Sequence, residues 1–331
     1  MKQRIIPVKY MPYPESGGEI IVEGNLENMP NTEALIDVSQ YTEARTLSID
    51  NLDGYDKIRL IGMSDTIDYI LIYRAPNLVF EGNLPSNLVS FTCESCRLTS
   101  LPELPDSLAW LSVRHNMLEE LPELPEDLDE LWCGANLLRE LPELPESLTL
   151  LSCNENLLES LPELPNSLVT LECAMNNLTK LPCLLGTGLE TLICQNNKLT
   201  TIPRIPITLL KFDCSINADL SYLPLLPNME YVIYNNTRLY NFMRNFVPFD
   251  LLETQLNGEY DLRMEEKIAN LNTYYKFVYL YYTLKYKSKF IKWLWKSREK
   301  KIQEQYSPEK LKELLETNEG EDLSEILEKW E

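Results

Sequence analysis

The chain has 331 residues, enough for a sizeable core and for two or three domains, and it carries 51 Asp and Glu against 30 Lys and Arg, a formal charge of −21. That balance opposes non-specific binding to nucleic acid or to an anionic membrane. No apolar run approaches the roughly 18 residues that cross a bilayer, and no apolar stretch follows the basic residues of 1–10, so neither a transmembrane segment nor a cleavable signal peptide is expected.

Residues 1–80 show no clear repeat. Ile20-Ile21-Val22, Leu47-Ser48-Ile49, Ile58-Arg59-Leu60-Ile61 and Tyr69 to Tyr73 are short β-rich runs. Turn signals at Gly24-Asn25, Asp53-Gly54 and Pro76-Asn77 separate them. They are expected to be degenerate early coils or a cap for the regular array that follows, because a solenoid needs an atypical unit at its open end. A separate small β domain is the alternative.

From 81 to 237 the chain repeats itself. Leu121-Pro122-Glu123-Leu124-Pro125 returns as Leu141 to Pro145 and Leu161 to Pro165, 20 residues apart each time. An inner register runs with it: Leu131-Trp132-Cys133-Gly134-Ala135-Asn136 matches Leu151 to Asn156 and Leu171 to Asn176. The same column continues at Cys194/Asn197, Cys214/Asn217 and, more loosely, Ile233/Asn236. Upstream it reaches Val113/Asn116 and Cys93/Cys96. A fixed period near 20 signals a leucine-rich repeat. Leu-x-Cys reads as a short strand whose alternate residues enter the core. Asn then turns the chain, and its amide can satisfy backbone groups of neighbouring coils. Two prolines three apart exclude a helix in Leu-Pro-x-Leu-Pro, which should return along the convex side as an extended, polyproline-like path.

These motifs resemble the short, proline-containing leucine-rich repeat of secreted bacterial effectors, the YopM and IpaH type, over roughly Leu88 to Leu239. The resemblance implies a curved solenoid with a parallel concave β-sheet, used to bind proteins. It also implies specialised secretion, which needs no cleavable signal.

The register assigns the outward positions. One column is Ser90, Trp110, Glu130, Leu150, Thr170, Thr191, Lys211 and Glu230; the next is Thr92, Ser112, Trp132, Ser152, Glu172, Ile193, Asp213 and Val232. Trp110, Trp132 and Leu150 break a polar pattern on three successive strands, which lie about 4.8 Å apart. With Arg114, Glu130, Glu172 and Ile193 around them they form the expected protein-binding surface. The competing reading is that a terminal segment folds over them. Glu103, Glu123, Glu143 and Glu163 form a convex column, read as a solvated acidic face or as a surface for cations or a basic partner.

Six of the eight cysteines (93, 133, 153, 173, 194 and 214) occupy the inward ladder position and read as small buried hydrophobes, a usage suited to a reducing compartment. Cys183 replaces the convex glutamate and should be exposed. Cys93-Glu94-Ser95-Cys96 has C-x-x-C spacing, but neither a second pair nor a helix start accompanies it, and His115 is the only histidine. No metal or cofactor is expected.

Residues 238–331 change to helical patterning and are expected to form an α-helical C-terminal domain. Tyr274 to Glu304 holds nine Lys/Arg and two Glu, a net of +7. Lys285, Lys289, Lys292, Lys296 and Lys300 form one stripe and aromatics cover much of the rest. This segment could cap the acidic solenoid, contact an anionic membrane peripherally or a nucleic acid, or face a separate protein. Ser307-Pro308 is a helix start. Leu323, Ile326, Leu327 and Trp330 repeat at i, i+3, i+4 and i+7. The ending from Tyr306 to Trp330 is similar to C-terminal tails of proteins from large nucleocytoplasmic DNA viruses, which implies a viral protein acting in the host cytoplasm or the virion.

The IpaH-type resemblance raises ubiquitin ligase activity, which requires a nucleophilic cysteine in a large C-terminal domain. The last cysteine here is Cys214, so no nucleophile follows the repeats. A single histidine and the lack of a phosphate-binding glycine loop remove most other chemistries. The sequence reads as a non-enzymatic scaffold that binds a protein on its concave face. The alternative is a minor capsid or virion-associated component, where the same surfaces make permanent contacts.

Overall fold

The computed structural model describes residues 2–13, 17–23, 32–52, 54–221, 223, 224, 226 and 229–239. The helical domain expected over 238–331 (apart from its first two residues), the basic segment 274–304 and the tail from Tyr306 lie outside the described residues.

Twelve strands form one sheet. Eight three- to five-residue strands supply its regular part: β9 (Ser90–Glu94), β10 (Trp110–Ser112), β11 (Glu130–Trp132), β12 (Leu150–Ser152), β13 (Thr170–Glu172), β14 (Thr191–Ile193), β15 (Lys211–Asp213) and β16 (Tyr231–Ile233), each parallel to the next. The sheet then runs without a break into the first eighty residues through β7 (Tyr69–Tyr73), β5 (Ala44–Asp50) and β3 (Gly17–Glu23), and ends on β2 (Lys9–Tyr13), the one antiparallel member. A second, four-stranded parallel sheet is built from β1 (Lys2–Ile5), β4 (Thr32–Asp37), β6 (Lys57–Ile61) and β8 (Leu78–Glu81). The early coils thus have two strands each. After β8 the return path carries Leu-Pro-x-Leu-Pro instead, and residues 101–105, 121–125, 141–145 and 161–165 run without helix or strand. The physical reason is proline, which removes the donor that a second ladder would need.

The core is a set of stacked columns. Phe91, Leu111, Leu131, Leu151, Leu171, Leu192, Phe212 and Val232 pair strand to strand and are buried. Beside them run Cys93, Val113, Cys133, Cys153, Cys173, Cys194 and Cys214, all buried, while Cys183 is exposed. Burial pushes the Cys133 thiol up to about 12 and holds the thiols of Cys153, Cys173, Cys194 and Cys214 well above the usual thiol range, so the cysteines of this column are held as neutral thiols.

The third column is polar and does most to fix the coils. Asn156 is buried, and its amide nitrogen donates to Cys133 O (3.0 Å) in the preceding coil and to Cys153 O (3.2 Å) and Asn154 O (3.2 Å) in its own. Its Oδ1 accepts from Leu138 N at 3.0 Å, again in the preceding coil. Asn116, Asn136, Asn176, Asn197 and Asn217 repeat this arrangement. Each side chain therefore clamps one coil to its neighbour. The residue before each Asn takes a left-handed conformation, φ 53–56° at His115, Ala135, Glu155, Met175, Asn196 and Ile216. For a non-glycine residue this costs about 1 kcal/mol, which the satisfied amide offsets.

The last coil corrects the expected register. Val232 pairs with Phe212 and is 2% exposed, so it points inward, and Tyr231 and Ile233 take the outward positions assigned above to Glu230 and Val232. Asn236 is the left-handed residue (φ 55°) and Thr237, fully buried, replaces the ladder Asn, its hydroxyl donating to Tyr234 O at 2.7 Å. The Asn235-Asn236 pair, one residue early, misled the sequence register.

At the other end β2 covers the sheet edge and carries Lys9 and Pro12, two residues that discourage further strand addition. Gly18 leaves room there for a ring. A Cβ on it would lie 2.1 Å from the Tyr10 hydroxyl oxygen, and the Tyr10 ring stacks on Tyr41 at 5.3 Å.

Two substitutions separate the contributions. Leu151→Ala should cost ~2–5 kcal/mol through lost burial and a cavity. Asn156→Ala should cost ~1–3 kcal/mol, because it strands Leu138 N–H between coils, while Cys133 O keeps its bond from Asn136. Urea unfolding checks both; a loss under about 1 kcal/mol for Asn156→Ala would show that water replaces the amide.

Candidate functional site

The concave face carries the outward residues of the twelve-stranded sheet. Many are polar, and Thr92, Ser112 and Ser152 are largely buried between longer neighbours. Trp110 and Trp132 stand out. They lie on adjacent strands in different columns, since Trp110 pairs with Glu130 and Ser112 pairs with Trp132. Their rings stack at a centroid distance of 6.2 Å and an interplanar angle of 27°. The serines on either side of Trp132 leave room for the indole to lean toward Trp110. Its Nε1–H donates to Glu130 Oε2 at 2.9 Å, which fixes the rotamer.

Arg114 completes the platform. Its Cζ sits 4.4 Å from the Trp132 ring centroid, a cation–π contact, and its Nε lies 3.7 Å from Glu94 Oε1. Glu94 also accepts the Ser112 hydroxyl. Trp110 nonetheless remains 38% exposed and Leu150, one strand beyond Glu130, is half-buried. An apolar surface is thus held rigidly at the middle of the sheet, partly exposed among the described residues.

The remaining expected residues fall further along. Glu172 pairs with Ser152 on one side and Ile193 on the other. Its Oε2 accepts from Ser152 Oγ (2.9 Å) and Asn154 Nδ2 (3.1 Å). The second column therefore reads Trp132, Ser152, Glu172, Ile193, and the seven residues form one strip rather than a closed pocket. Two tyrosines extend it that the sequence register did not reach. Tyr69 pairs with Ser90 and Tyr73 with Glu94, and they are 46% and 37% exposed. Burial, with the charge of Glu94 adding to it, pushes the Tyr73 hydroxyl above the usual tyrosine range. The missed signal was the spacing: Ile70 and Phe91 are paired but 21 residues apart, and the two-stranded coil hides the period.

The convex glutamates Glu103, Glu123, Glu143 and Glu163 are all exposed. Among the described residues no group of three or more His, Cys, Asp or Glu is placed to hold a metal ion, and no helix is long and apolar enough to cross a membrane.

No protein-family model matches the chain, and no curated protein matches it significantly. Solved structures do. YopM from Yersinia enterocolitica is 28% identical over 65% of this chain and 51% of that one, with a TM-score of 0.54. The fold is a leucine-rich repeat solenoid. YopM from Yersinia pestis, a leucine-rich effector protein, is 27% identical over 65% and 66% of the two chains, with a TM-score of 0.49. The functional domain of InlJ from Listeria monocytogenes, which includes a cysteine ladder, is 20% identical over 63% and 58%, with a TM-score of 0.44. This solenoid spans about half the length of the Yersinia enterocolitica chain it matches.

The stacked indoles have their own signature. Two rings at 6.2 Å should give an exciton couplet in the far-ultraviolet circular dichroism. Trp110→Phe and Trp132→Phe should each abolish it while leaving the melting temperature within a degree or two. A couplet that survives either change would place the rings elsewhere.

Proposed function

We propose that this chain is a non-enzymatic protein-interaction scaffold that binds a protein ligand on its concave face. The observation that carries the reading is the partly exposed Trp110–Trp132 stack, held by Glu130 and Arg114 within a mainly polar sheet. Tryptophan, tyrosine and arginine dominate binding hot spots, and the two aromatics offer a large contact area at low cost in side-chain entropy. Here the rotamers are already fixed, so little ordering opposes association. The repeated Leu-Pro-x-Leu-Pro segments, together with the likeness to YopM, support placing the chain among the short effector-type repeats.

The geometry assigns different jobs to the two faces. The inward columns carry stability, and the outward side chains support no core. Trp132→Ala should therefore weaken binding to the partner by roughly tenfold or more, equivalent to at least ~1.4 kcal/mol, and leave thermal stability nearly unchanged. Isothermal titration beside a thermal melt reads both quantities. A variant that melts several degrees early yet binds its partner as before would mean that another part of the chain covers the patch.

A further inference from the structure

The carboxylates of the described coils divide into two kinds. Along the early coils four are matched by an arginine of a neighbouring coil: Asp68 by Arg45, Glu81 by Arg59, Asp50 by Arg74 and Glu94 by Arg114. The chain supplies its own counter-charges there. Glu130 and Glu172, in the middle of the concave strip, differ. Both are half-buried and both are held by neutral donors only: Trp132 Nε1–H for the first, Ser152 Oγ and Asn154 Nδ2 for the second. Among the described residues neither has a cationic side chain at ion-pair distance.

A half-buried carboxylate oriented by neutral donors, with no cationic partner among the described residues, raises the local negative potential. Asp129 and Glu190, at the entrances of β11 and β14, add to that potential. The two carboxylates sit two strands and one column apart. With a strand spacing of about 4.8 Å and a rise of about 3.3 Å per residue, that places their backbones ~12 Å from each other. Leu150, on the intervening β12, lies between them, paired with Glu130 on one side and Thr170 on the other.

Resting on the concave-face reading above, we propose that the occupant is a basic protein segment. It presents two Lys or Arg side chains about 12 Å apart, one to Glu130 and one to Glu172, on either side of an apolar side chain that settles on Trp132 and Leu150. An extended segment meets that spacing with cations four residues apart, and a helix with cations seven or eight apart. The exposed Trp110 indole beside Glu130 favours the same charge sign, because a cation there also gains a cation–π contact. Acidic partners and nucleic acid are disfavoured on the same surface.

The test is a selection of random peptides displayed on phage against the full chain, counter-selected on the Trp132→Ala chain, followed by titration of synthetic copies of the survivors. Peptides that depend on Trp132 should carry two basic residues around an apolar one, and their affinity should fall several-fold between ~50 mM and ~300 mM salt. Glu130→Gln and Glu172→Gln keep the hydrogen-bond acceptors and the fold, which a thermal melt verifies. Each should weaken binding at least about fivefold at low salt and much less at high salt. Glu172→Lys should bind a peptide in which the matching Lys is replaced by Glu better than the original peptide. Trp132-dependent peptides that are neutral or acidic, or that ignore both Gln variants, would overturn the basic occupant and leave the concave site standing. A selection with no Trp132-dependent peptide would overturn both.

Discussion

One side chain, repeated, carries the architecture. Each ladder asparagine reaches back to a carbonyl and an amide of the preceding coil and forward to two carbonyls of its own, so successive coils are joined by hydrogen bonds inside the core as well as by the sheet. A solenoid has no long-range contacts to resist bending or slippage, and its stability is close to a sum over neighbours. A buried and fully satisfied amide at every junction removes that freedom. An unmet one would cost more than most single core contacts, so the register is enforced at each step. A second row reinforces it at the strand entrances. Ser107, Ser147, Ser167 and Thr208 donate side-chain hydrogen bonds to carbonyls of the coil before.

Function follows from that stiffness. With the inward positions occupied by Leu, Cys and Asn, the outward positions are free to vary without cost to the fold. They are mainly polar along the strip and change to Trp110, Trp132 and Leu150 over three strands. Exposed aromatic surface is normally lost to collapse or covered. Here the backbone beneath is fixed and a serine lies on each side of Trp132, so the indoles stack on each other instead. The cation–π contact of Arg114 and the hydrogen bond to Glu130 lock them further.

How much of this the sequence shows depends on the regularity of the period. From Leu111 to Leu171 the spacing is 20 without exception, and the columns, the buried thiols, the exposed Cys183 and the position of Trp110 beside Trp132 can be read directly. Toward the amino terminus the paired residues Ile20, Leu47, Ile70 and Phe91 are 27, 23 and 21 apart, because those coils contain a second strand of variable reach. The runs were visible as strands, but their division between two sheets was not, and Tyr69 and Tyr73 were missed with it. At the carboxyl end Asn235-Asn236 offered a false rung, and only the burial of Val232 and Thr237 restores the register. The stacking of the indoles and the contrast between paired and unpaired carboxylates depend on rotamers, which no periodicity encodes.

The central claim is that the concave face, and not the acidic convex one, receives the protein ligand. Site-specific photo-crosslinking distinguishes the two directly. A benzoylphenylalanine placed at Thr170 on the concave sheet and another at Glu143 on the convex side sample opposite surfaces of the same coils. Irradiated with the protein that co-purifies with the chain, the Thr170 position should yield the covalent adduct and the Glu143 position little or none. Adduct from Glu143 alone would contradict the account.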